Sequence, residues 1–138
     1  MAENPMTIID DDMLEALMEE AEKSPRLRTN RNFHRSFSDK CQRFLNAMEP
    51  GTQVPVHRHP VKEETLVLLK GKVRVAIYGD GGETISSCVL CREGGRYGVD
   101  IPPNVWHGLE CLEPSVLLEC KPGPFDPDER EELPRASG

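Results

Sequence analysis

Long apolar runs are missing from this chain. Thr65–Leu69 carries no charge, but it falls far short of the ~20 residues that span a bilayer. An apolar leader is not expected either, because Asp10, Asp11 and Asp12 interrupt the N-terminal region. A basic excess is also missing: 17 Lys and Arg face 24 Asp and Glu, a net charge of −7. With no basic stripe, nucleic acid and anionic membrane surfaces are poor partners. No internal repeat or low-complexity block occurs. Cysteines number five, an odd count, which reads as reduced thiols in a cytoplasmic protein. At 138 residues the chain has the size of one domain and needs neither disulfide nor metal merely to fold.

What is present divides the chain sharply. Asp10–Lys23 places Met13, Leu14, Leu17, Met18 and Ala21 on one helical stripe. The aspartates suit its start, and Ser24-Pro25 ends it. Arg26–Lys40 is polar and reads as an ordered loop or short strand. Beyond it, 11 Gly and 12 Pro over the whole chain leave no room for a helical bundle. Short apolar runs follow at Gln42–Met48, Glu64–Lys70, Val73–Tyr78, Thr84–Leu90, Gly98–Ile101, Val105–Leu112 and Ser115–Cys120. Val73, Val75 and Ile77 alternate with their neighbours as in a half-buried strand, and Gly79-Asp80-Gly81-Gly82 is a hairpin turn. About eight short strands between breakers predict an all-β sandwich or barrel. The expected organisation is a helix and loop over 1–40, a β-barrel over 41–121 and an irregular tail over 122–138.

Only four histidines occur, and three of them carry the chemistry. His57 and His59 are two apart, so on an extended strand both rings face the same side and can converge on one cation. Glu64, after the turn at Pro60, can swing back as a carboxylate ligand. His107 is remote in sequence, but strands far apart along the chain share the lumen of a barrel. Imidazole and carboxylate together suit a divalent first-row metal. Three neutral imidazoles and one carboxylate around a divalent ion leave a charge near +1, which favours an anionic or carbonyl-bearing ligand. Octahedral coordination would leave two open positions for catalysis, whereas a closed tetrahedral set would be structural.

The stretch Gly51-x5-His57-x-His59-x4-Glu64-x6-Gly71 resembles the first motif of the cupins. Its spacing to Gly71 selects Glu64 over the adjacent Glu63. Pro102 and His107 resemble the second motif, with Asn104 standing where a glycine is usual. Asn tolerates the left-handed backbone that a glycine would give. The motif's leading glycine is displaced by one, to Gly95, and Cys111 replaces its terminal Asn. Over most of the chain, Asn32-Phe33-His34, Gln42–Ala47, Pro50-Gly51-Thr52, Pro55–His59, Lys62-x-Glu64, Gly94-Gly95-x-Tyr97-Gly98-Val99, Ile101-Pro102-Pro103-x-x-Trp106-His107 and Lys121–Pro124 resemble the WbuC-type cupin metalloproteins. The resemblance implies a cupin double-stranded β-helix, a jelly-roll barrel with an N-terminal helix. It also implies one divalent transition metal (Fe, Mn, Ni, Co or Zn) on His57, His59, Glu64 and His107, and a setting in bacterial surface polysaccharide (O-antigen) synthesis. By the same analogy a homodimer is expected.

His34, Lys62, Tyr97 and Trp106 are candidates for substrate contacts. A hydrogen-bonded loop position is the plainer reading of His34, and barrel packing the plainer reading of Trp106. Arg58 alternates with the two histidines and so points away from the lumen. Cys88-x-x-Cys91 has metal or redox spacing but lies in a strand, where buried thiols are the plainer reading. Three functions fit. The first is a metal-dependent enzyme, such as an isomerase or epimerase, acting on a sugar or nucleotide-sugar intermediate. The second is an iron-dependent dioxygenase. The third is a non-catalytic module that binds a sugar or other effector.

Overall fold

Helix α1 (Asp11–Lys23) starts where Asp10 caps it: the Asp10 carboxylate accepts the Met13 N–H at 3.0 Å. It stops at Ser24, whose N–H donates to the Ala21 carbonyl. Leu14, Leu17 and Ala21 are its buried face, three and four residues apart as the periodicity predicts. The computed structural model describes residues 4–134. None of its helices is long and apolar enough to cross a membrane.

Eight strands follow, all antiparallel: β1 (Arg28–Asn32), β2 (Cys41–Met48), β3 (His57–Arg58), β4 (Glu64–Tyr78), β5 (Thr84–Cys91), β6 (Gly98–Ile101), β7 (Trp106–Pro122) and β8 (Glu131–Glu132). Two of them are long and bent. The N-terminal half of β4 lies between β6 and the C-terminal half of β7, beyond which come β2 and β1. The C-terminal half of β4 lies between β5 and the N-terminal half of β7, beyond which come β3 and β8. The two halves are the two walls of a jelly roll, and β4 and β7 belong to both. This is the cupin barrel.

Gly71 and Glu113-Pro114 read in the sequence as breaks between strands. In the structure the strand ladder continues through both places, with register shifts between Leu68 and Val73. Gly71 takes φ +93°, and a Cβ there would stand 2.3 Å from the Pro114 carbonyl oxygen. The breakers therefore turn a corner within paired strands instead of ending them.

The period of two sorts the side chains. Leu45, Ala47 and Val116 point outward and pack under Leu14, Leu17 and Ala21 of α1. Met48, Leu66, Leu68, Val73, Val75, Leu90, Ile101, Cys111 and Leu117 point inward as the barrel core. Cys88 and Cys91, three apart on β5, face opposite sides and do not converge. They are half-buried, as is Cys120, and only Cys111 of this group is fully buried. The tail expected to be irregular contributes β8, which pairs with β3 at His57–Glu132 and Arg58–Glu131. Residues 135–138 of that tail lie outside the described residues.

Candidate metal centre and its cavity

β3 is two residues long, and Pro60 stops it just after His59. Its pairing sets His57 directly opposite His107 of β7. His57, His59, Glu64 and His107 are all buried. The rings of His57 and His107 lie 4.4 Å apart, and those of His57 and His59 lie 5.2 Å apart. One donor atom each from His57, His59 and Glu64 fall within 4.8 Å of one another. His107 adjoins this trio through Glu64, with Nε2 2.7 Å from Oε1. Glu64 Oε2 is 3.8 Å from His59 Nε2.

Each histidine is oriented through its Nδ1. His57 donates to the Pro55 carbonyl at 2.9 Å, His107 to the Val105 carbonyl at 2.9 Å and His59 to the Glu129 carbonyl at 2.9 Å. A carbonyl oxygen has no proton to give, so all three Nδ1 atoms carry the hydrogen and a neutral ring presents its Nε2 lone pair. This outer hydrogen bonding is what a metal-ligating histidine requires. The 2.7 Å contact of His107 Nε2 with Glu64 Oε1 then brings two acceptors together. It needs a cation between them, either a proton or a metal ion. The donor set therefore fits a divalent ion.

The ionisation behaviour follows the same geometry. Burial, and then the charge of His107, hold His57 down at about 3. Burial alone would raise Glu64, yet the hydrogen bond and charge of His107, with His59 and His57 beyond, hold it at about 2. Burial pulls His107 down, but the hydrogen bond and charge of Glu64 outweigh it and its pKa is raised.

A cavity of about 180 Å³ opens from this cluster. His57, Glu64 and His107 form its inner end, and Phe44, Val54 and Leu109 its apolar wall. Asn46 and Glu119 add polarity inside, and Arg26, Arg28, Asn30 and Arg130 lie toward the outside. A larger groove of about 490 Å³ runs beside the Asp80-Gly81-Gly82 turn, but Asp80 is the only ionisable residue lining it. Chemistry, and not size, marks the smaller one.

None of the four residues named as substrate contacts lines this cavity. His34 sits behind Phe44 and Phe37, its Nδ1 bonded to the backbone of Arg43. Lys62 Nζ donates to the Pro124 carbonyl. Tyr97 is exposed at the end of β6 farther from Glu64. Trp106 alternates with His107 and so faces outward: its N–H donates to Asp80 at 2.9 Å, and the Arg58 guanidinium lies 4.1 Å above its ring. Arg58 is itself paired with Glu131 at 2.6 Å, outside the lumen as alternation predicts. Asn104 has φ +65°, the left-handed backbone expected of it, and its N–H donates to the His59 carbonyl at 2.7 Å.

Sequence reasoning missed Glu119, Asn46, Glu129 and the arginines. Glu119 had a signal, as the one acid in the apolar run Ser115–Cys120. Arg26-x-Arg28-x-Asn30 also has strand periodicity. Glu129 and Arg130 had none, because a tail residue reaches the site only through tertiary packing. Glu119 accepts from Asn46 Nδ2 at 3.1 Å. Burial, and next the charge of Glu64, push its carboxyl up to about 7.

Solved cupin structures share this architecture. The capsular polysaccharide assembling protein CapF from Staphylococcus aureus aligns with a TM-score of 0.63 at 23% identity, over 80% of this chain and 30% of its own. A dTDP sugar isomerase from Desulfovibrio desulfuricans G20 aligns with a TM-score of 0.59 at 19% identity, over 83% of this chain and 71% of its own. An oxalate decarboxylase from Lactobacillus farciminis, solved as a formate complex, aligns with a TM-score of 0.54 at 18% identity, over 69% of this chain and 27% of its own. The chain thus spans under a third of the length of CapF and of the oxalate decarboxylase, and at these identities the likeness shows the fold alone. No curated protein matches the sequence. The stretch 9–90, from α1 through His57, His59 and Glu64 into β5, matches the family model described as "Domain of unknown function (DUF6016)", and the chain belongs to that family.

Proposed function

We propose that this protein is a metal-dependent cupin enzyme of the WbuC type, with one divalent transition metal on His57, His59, Glu64 and His107. Its substrate is a small anionic or sugar-type molecule of bacterial surface polysaccharide synthesis. The observation that carries the reading is the common orientation of the three imidazoles, each turning Nδ1–H to a backbone carbonyl beside the Glu64 carboxylate at the floor of a cavity. A divalent ion in this donor set supplies Lewis-acid polarisation of a substrate carbonyl or hydroxyl oxygen, the chemistry of an isomerase or epimerase. The chain's own part is to hold the donors in place and to shape a narrow polar cavity above them. The setting is supported by the fold shared with the capsular polysaccharide assembling protein and the dTDP sugar isomerase. A cytoplasmic location and a homodimer complete the proposal.

The test is elemental analysis of untagged protein purified without chelators. About one equivalent of a divalent transition metal is expected in the wild type, and under about a tenth of that in His57→Ala with an unchanged circular dichroism spectrum. Metal retained by a folded His57→Ala variant refutes the ligand set. No metal after reconstitution refutes the metal reading altogether. Zinc in place of iron removes dioxygen chemistry as an alternative.

A further inference from the structure

The chain is acidic overall, with net charge −7, yet three guanidinium groups gather at one cavity: Arg26, Arg28 and Arg130. Arg28 is the most buried of them, and its acidity reflects that crowding: burial first, then the charges of Arg26 and Arg130, lower its pKa. Among the described residues no carboxylate pairs with Arg26 or Arg28, while Arg130 reaches Glu132 at 3.5 Å. Arg28 Nη1 is anchored on the Gln53 carbonyl, which holds the group in place without neutralising it. Like charges held together in a part-buried site repel one another, and a ligand oxyanion supplies the missing partner.

A second observation comes from inside the same cavity. Asn30 and Arg28 of β1 share the inner face with Asn46 and Met48, to which they are paired in register. Asn46 uses its amide N–H on Glu119. Its Oδ1 has no hydrogen-bond partner, which leaves the amide only half paired in a residue that lines the cavity. A ligand hydroxyl is a partner toward which this amide can turn. The size is limited too, since about 180 Å³ holds roughly six waters at ~30 Å³ each. A small polyol fits, whereas a nucleotide would have to lie outside.

From this arrangement we infer that the ligand is a small hydroxylated oxyanion, a polyol or sugar bearing a carboxylate or a phosphate. Its anionic group lies between Arg26, Arg28 and Arg130, a hydroxyl pairs with the Asn46 amide that lines the cavity, and its far end faces His57, Glu64 and His107. The inference rests on the cavity being the ligand site proposed above. It does not rest on which metal is held.

The test is calorimetric titration at low salt with glycerate, glycerol 3-phosphate and glycerol, on metal-loaded and chelator-treated wild type, Arg28→Gln and Arg26→Gln. At least one of the two anions is expected to bind at least about tenfold more tightly than glycerol, and each arginine variant to lose about tenfold. The preferred anion decides between carboxylate and phosphate. Equal affinity for glycerol, affinity unchanged in both arginine variants, or no binding of either anion overturns the inference. Metal content measured on the same samples keeps the two proposals apart. Arginine-dependent anion binding by the chelated protein upholds the anion site even where the metal reading fails, and a metal-loaded protein indifferent to the arginines does the reverse.

Discussion

Glu119 is a carboxyl group in the wrong place for a charge. It is 8% exposed, beside the cavity, with the Asn46 amide as its hydrogen-bond donor. Burial and the nearby Glu64 charge raise it from 4.5 to about 7. Between those values the folded chain keeps a proton that the unfolded chain has released, so the group lowers stability as pH rises through that window. In metal-free protein, Glu119→Gln should therefore melt above the wild type, with a gap that is small at pH 5 and grows to on the order of 2 kcal/mol by pH 8. Thermal melts at the two pH values check this, and a gap that is constant or shrinks with pH contradicts the assignment. His57 acts in the opposite direction. Its pKa falls from 6.5 to about 3, so the unfolded chain takes up a proton first and stability drops as pH falls through that range. At this scale the sequence disclosed donor identities. The His-x-His spacing puts two rings on one strand face by geometry alone, and the same rule placed Arg58 outside. The ionisation states were not legible, because they follow from burial and from neighbours contributed by other strands.

The bent strands β4 and β7 decide how the donors meet. Glu64 opens β4 and His107 lies near the start of β7, while the two strands pair along most of their length. They turn together at Gly71, where φ is +93° and a Cβ would meet Ser115 Oγ at 2.2 Å and the Pro114 carbonyl oxygen at 2.3 Å. A serine side chain can rotate away, but a carbonyl of a paired strand has nowhere to go. Gly71→Ala should thus cost at least ~2 kcal/mol, read as a lower urea midpoint with an unchanged slope. A midpoint equal to that of the wild type would show that the corner tolerates a side chain. Gly and Pro are ambiguous signals in one dimension, because the same residues end a strand or bend it. Helix α1 was legible in full, since both its cap and its apolar stripe are local features.

For the whole molecule, folding and ligand occupancy are linked. A metal that binds only the native barrel stabilises it by about 2.7 kcal/mol at a hundredfold excess over its dissociation constant. Chelator treatment should lower the melting temperature by several degrees, and readdition of a divalent transition metal should restore it. The His57→Ala variant should show neither response. A wild type indifferent to both treatments contradicts a metal on this donor set. The core around Met48, Leu66, Val73, Leu90 and Leu117 lies between the two walls and needs no ion for its burial, so the metal-free chain should remain folded.

By itself the sequence determined the helix, the strand content and the four candidate donors. Those depend on periodicity and on side-chain chemistry, which are properties of neighbours along the chain. Only the tertiary structure decided that Glu129, from the tail, orients His59. It also decided that Arg26, Arg28 and Arg130 share one cavity, and that Trp106 and Tyr97 do not enter it. Those contacts link residues dozens of positions apart. Their geometry is selected by the packing of two walls around one core, and no local preference encodes it.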